Sequence, residues 1–145
     1  MGLFKKIRKS IEDAGKIEEF DLSIYRNISE YGKAKKRWAV SIKYFQWSLG
    51  KVASYVNFDK PSITDLEVSV HILLKKQTGE YAKEGLGIWF YNMKIGMVKT
   101  VDAKEILKVM NKWEVETVRA DGAIVWLPLE ERREPNRKWL ISYWA

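Results

Sequence analysis

Leu66-Glu67-Val68-Ser69-Val70-His71-Ile72-Leu73-Leu74 is the stretch that decides the fold class. Leu66, Val68, Val70, Ile72 and Leu74 alternate with more polar positions, and three of these five apolar residues are β-branched. Successive side chains of a strand point to opposite faces, so this pattern predicts a strand with one buried face. A helix starting at Ser62 with Asp65 as its capping partner is the rival reading, and the alternation outweighs it. Gln77-Thr78-Gly79-Glu80 reads as the turn into a partner strand at Leu86 to Tyr91, whose nearly continuous apolar run suits a central strand covered on both faces.

Working outward, Asp102 and Glu105 form a capping-box-like start to a helix near 103–113, with Ile106, Leu107, Met110 and Trp113 as its buried stripe. Asp121-Gly122 between Val115–Arg119 and Ala123–Leu127 predicts a hairpin. Pro128 ends that strand or places it at an edge. A charged loop over Glu130 to Arg137 leads to a last strand, Trp139 to Trp144. Upstream, Leu22 to Ile28, Arg37 to Trp47 and Val52 to Phe58 read as strands, the second with Trp38, Val40, Ile42 and Tyr44 on one face. At the start, Leu3, Phe4, Ile7, Ile11 and Ala14 fall on one side of an amphipathic helix that Gly15 weakens. The expectation is one α+β domain over 1–145. It has a mainly antiparallel sheet of about six to eight strands, with the 1–20 helix and the 103–113 helix packed on one face.

The chain has 145 residues, 46% of them hydrophobic, which suffices for a core and argues against disorder. Its net charge of +7 makes anionic partners the natural ones: phosphate backbones, anionic lipid or acidic proteins. With no cysteine, thiolate metal sites, disulfides and cysteine nucleophiles are excluded. Few glutamines and prolines beside plentiful lysine and glutamate match the bias of heat-adapted proteins. Small basic α+β proteins of this composition are common among accessory proteins of mobile elements and viruses of heat-loving hosts, an association of composition only. No stretch approaches the roughly 20 apolar residues that span a bilayer, and the basic start is not followed by a signal-like apolar run. A cytoplasmic protein is expected.

Seven tryptophans, many beside lysine or arginine, supply the functional signal. Cations hold phosphates and aromatic faces stack on bases, which is what a nucleic-acid groove needs. The first cluster is Lys33, Lys35, Lys36 and Arg37, running on to Lys43 and Trp47. The second is Arg132, Arg133, Arg137 and Lys138 with Trp139, and Trp144 is a further stacking candidate. The competing reading is a loop of solvated lysines entering a core strand with its aromatics buried. Nothing matches an RNP1 consensus, a GxxG clamp or a zinc finger.

Two other functional classes remain open. One is a structural or interaction protein that self-assembles through the apolar edges formed by the Pro128-terminated strand and the Trp139–Trp144 strand, or lies on a membrane or virion surface through residues 2–17. The other is a metal-dependent nuclease built on Asp59, Asp65, Glu67, Glu80 and Glu84, near the ends of two paired strands. His71 is the only histidine, too few for a catalytic dyad or a histidine metal cluster, and reads as structural or exposed. No Walker loop, Gly-x-Gly-x-x-Gly or Gly-x-Ser-x-Gly occurs. The expectation is therefore a nucleic-acid-binding protein with no catalytic residue, metal or cofactor.

Overall fold

The computed structural model describes residues 15–58, 61–62, 64–77 and 85–145. Residues 1–14 of the amphipathic helix expected over 1–20, the Thr78–Glu80 part of the expected turn, and Asp59, Glu80 and Glu84 lie outside these residues, while 15–20 are not helical. Among the described residues the architecture is α+β: six antiparallel strands in a curled half-barrel sheet, with two helices. In chain order these are β1 (Lys36–Trp38), α1 (Gln46–Tyr55), β2 (Glu67–Lys76), β3 (Leu86–Phe90), β4 (Met93–Met97), α2 (Thr100–Trp113), β5 (Thr117–Trp126) and β6 (Trp139–Trp144).

The spatial order is β1-β6-β5-β2-β3-β4. Curling brings the two edges together. Just beyond β1, Val40 exchanges two backbone hydrogen bonds with Met97 at the end of β4, at 2.9 and 3.3 Å. The strands expected as sheet edges, β5 and β6, are therefore interior ones, each paired on both sides.

The deciding alternation holds along β2. Val70, Ile72 and Leu74 point into the core beside Val118, Ala120 and Ile124 of β5 and Ile141 and Tyr143 of β6. Leu49, Val52 and Ala53 of α1 and Ala103, Ile106 and Met110 of α2 join the same buried cluster. Both triplets follow the i, i+3, i+4 (or i+7) spacing of one helix face. Burying a large aliphatic side chain contributes roughly 1.5–3 kcal/mol, so this shared interior is the main source of stability.

Several expectations are corrected. Asp121-Gly122 is no hairpin; it lies in the middle of one ten-residue strand, β5. Gly122 is there because the backbones approach closely: a Cβ would meet the Ser142 carbonyl oxygen at 3.1 Å and Ile72 at 3.4 Å. The stretch 52–58 belongs largely to α1 rather than to a strand. Leu22 to Ile28 is not a strand either, because Asp21 and Asn27 accept hydrogen bonds from the N–H groups of Ser23 and Ser29, closing tight turns at Leu22–Ile24 and Ile28–Tyr31. The long strand read over 37–47 shrinks to β1, since Ser41 adopts a left-handed conformation (φ 59°) and a 3-10 turn, Ile42–Tyr44, follows. The capping box on α2 does not form; Lys99 holds the cap position, and Asp102 is drawn to a different partner.

Candidate nucleic-acid interface

That partner is Arg37. Its position on β1 points inward, opposite to the expected phase, which leaves Trp38 exposed. The Arg37 side chain is only 2% exposed. Its guanidinium donates to Asp102 Oδ1 (2.6 Å), Glu105 Oε2 (2.7 Å) and the carbonyl of Ala145 (2.6 Å). Burial opposes the charge on Arg37, yet the hydrogen bonds to Glu105 and Asp102 outweigh it and hold the guanidinium above its usual pKa. Arg37's hydrogen bond, then its charge and that of Lys35, hold the Glu105 carboxyl below the usual range. Beneath this group lies Tyr143, whose hydroxyl is raised, chiefly by burial and then by the charge of Asp102. Arg37 is thus a core clamp between β1 and α2, not a phosphate contact.

The flanking lysines stay outside. Lys33 is exposed. Lys35 sits 4.0 Å from Glu105, and Lys36 lies 5.0 Å over the Trp38 ring on the outer face of the sheet. Lys43 is exposed, with its ammonium 5.0 Å over Tyr44.

Besides pairing along β1 and β6, the two basic–aromatic segments meet where α1 packs against the start of β6. Gln46 joins them: its amide donates to the carbonyls of Ile42 and Trp139, and its oxygen accepts from the N–H groups of Lys138 and Trp139, at 2.8–3.1 Å. All the hydrogen-bonding capacity of that side chain goes into this joint. Beside it opens a pocket of about 460 Å³, with Trp47 and Lys51 from α1 on one side and Asn136 and Lys138 on the other. Gly50 completes the α1 wall, and among the described residues no carboxylate lines the pocket. Trp47 is 62% exposed, and the Lys51 ammonium stands 5.4 Å over its ring.

Trp139 is not the free stacking face that was expected. It is 6% exposed and packs edge-to-face on Trp126 and obliquely on Phe58, so it forms the pocket floor. Arg132 is half-buried; it ties its loop by donating to the carbonyls of Leu127 (2.7 Å) and Pro135 (3.1 Å) and covers the Trp126 ring at 4.9 Å. Arg137 is half-buried, and Arg133 is exposed. Of the expected residues, the fold brings together Trp47, Lys138 and Trp139. It adds Lys51, which sequence reading missed because its place one helical turn after Trp47 shows only once 46–55 is read as a helix.

Of the candidate carboxylates, Asp65 and Glu67 are among the described residues. Among the described residues no group of three or more histidine, aspartate or glutamate side chains could hold a metal ion. Asp65 and Glu67 are exposed, and His71 faces Asp121 at 3.3 Å on the open surface. No helix among the described residues is long and apolar enough to cross a membrane. Comparison with protein-family models, curated proteins and solved structures gives no match.

Proposed function

We propose that the protein binds nucleic acid, preferring unpaired strands, and catalyses no reaction. Trp47 offers a face to a base, while Lys51 and Lys138 take the flanking phosphates and Asn136 offers an amide to a base edge or sugar. The observation that carries this reading is the pocket's lining: an exposed indole and two lysines from opposite walls, with no carboxylate among the described residues that line it. A cavity of about 460 Å³ lies within the roughly 300–1,000 Å³ range of small-ligand sites, room for one nucleoside. A duplex keeps its bases stacked inside, so a single indole at a pocket mouth favours single strands.

The test is a titration of fluorescein-labelled single-stranded DNA and RNA at low salt, read by anisotropy and tryptophan quenching. Trp47→Ala should weaken binding by about 1–3 kcal/mol, the value of one stacked base. Arg37→Met should leave affinity unchanged at temperatures where the variant is folded. Absence of binding to any single strand at 50 mM salt, where two phosphate contacts on a single strand bind about sevenfold more tightly than at 200 mM, would end the proposal.

A further inference from the structure

The outer face of the sheet carries a second site of different chemistry. Strand register sets Lys36, Trp144, Asp121 and His71 side by side on the four neighbouring strands β1, β6, β5 and β2. Two residues further along, the same strands carry Trp38, Ser142, Ala123 and Ser69. The row after that is Leu140, Val125 and Glu67. On β6, β5 and β2 the small side chains of the middle row, Ser142, Ala123 and Ser69, therefore lie between two rows of larger ones. The result is a groove of about 610 Å³ floored by Ser142, Ala123 and Ser69. At about 4.8 Å per strand it runs some 14 Å across the sheet from β1 to β2.

Its charges exclude most ligands. Glu67 and Asp121 repel phosphates, so this groove does not extend the pocket beside Trp47. The Lys36 ammonium already occupies a face of Trp38 and repels a cation. What suits the lining is an uncharged ligand with many hydroxyls and an apolar face. Carboxylates accept hydrogen bonds from hydroxyls, the ammonium donates to them, and the serine hydroxyls and the imidazole can do both. Trp144, 51% exposed, presents an indole whose negative face attracts weakly polarised C–H bonds.

We propose that this groove binds a neutral saccharide, with Trp144 stacking on a sugar ring and Asp121, with His71 against it, fixing its hydroxyls. The site binds without cleaving. Asp121 is in register with His71, so Glu67 stands four residues away along the strand direction, about 13 Å at 3.3 Å per residue. Paired carboxyls that hydrolyse a glycosidic bond stand only about 5–9.5 Å apart.

The experiment titrates the full chain with a panel of neutral oligosaccharides of glucose, mannose, galactose and N-acetylglucosamine. Binding is followed by amide chemical shifts and tryptophan emission. The expected result is binding by at least one member with a dissociation constant of about 1 mM or tighter. Shifts should fall on β5, β6 and β2, and affinity should drop about tenfold or more in Trp144→Ala and Asp121→Asn. Both variants should melt like the parent, since these side chains are exposed. Lys51→Ala/Lys138→Ala should bind the saccharide normally, which separates this site from the nucleic-acid pocket. No binding across the panel, or a Trp144→Ala variant that binds like the parent, would overturn the proposal.

Discussion

Replacing Arg37 with methionine removes the one buried cation among the described residues, and the consequence follows from its partners. Asp102 is 17% exposed and would be left with its charge mostly out of water. Glu105, more than half exposed, rehydrates and is left out of the estimate. The carbonyl of Ala145 loses a charge-assisted donor. Removing one partner of a buried pair costs about 3–5 kcal/mol, out of a total stability of about 5–15. For a chain of this size each kcal/mol shifts the melting point by about 3 °C, so Arg37→Met should melt about 9–15 °C lower. Thermal unfolding followed by circular dichroism measures this directly. A second variant tests the cause: Arg37→Met/Asp102→Leu replaces the pair with apolar groups and should recover most of the loss, because a buried ion pair exchanged for well-packed apolar side chains is often neutral. A single variant melting within about 3 °C of the parent, or a double variant no better than the single, would refute the reasoning.

Other outcomes follow from the same geometry. Glu105's lowered pKa means that its contribution is present above the usual carboxylate range and fades as pH falls through the lower folded value; melting temperature should therefore drop on acidification through and below the usual carboxylate range, less steeply in Arg37→Met, and equal slopes in both proteins would contradict this. Gly122→Ala pushes a methyl against the Ser142 carbonyl, which as backbone cannot easily yield, and should cost about 1–3 kcal/mol in urea unfolding. Gly50→Ala meets only an ordinary contact of 3.6 Å with the Trp139 indole nitrogen and should stabilise α1 by up to about 1 kcal/mol; a lower midpoint would mean that helix is strained there.

What could be read from the sequence was what local pattern alone decides. β2 followed from strict alternation, β3 and β6 from short apolar runs, and α2 from a stripe of Ile106 and Met110. Residues whose conformation is set by distant partners misled. Asp121-Gly122 is a strong turn signal in isolation, yet pairing with β2 and β6 on both sides holds it extended. Met93-Lys94-Ile95-Gly96-Met97 has little β-propensity, and only the tight Tyr91-Asn92 connection to β3 and the bridge to Val40 make it a strand. In α1, Val52 and Tyr55 look like strand residues, while the spacing of Leu49, Val52 and Ala53 was the better signal. At the candidate site, composition found Trp47 and Lys138. It could not tell them from Arg37 and Trp139, because an arginine or a tryptophan goes inside when carboxylates or other rings wait there.

The most direct test of the central claim is the salt dependence of single-stranded oligonucleotide binding in the parent and in Lys51→Ala/Lys138→Ala. Each phosphate contact on a single strand contributes about 0.7 to the slope of log affinity against log salt. The account predicts a double variant that remains folded, binds more weakly, and has a slope shallower by about 1.4. An unchanged slope and affinity would contradict the account, showing that phosphates are not held between α1 and the start of β6.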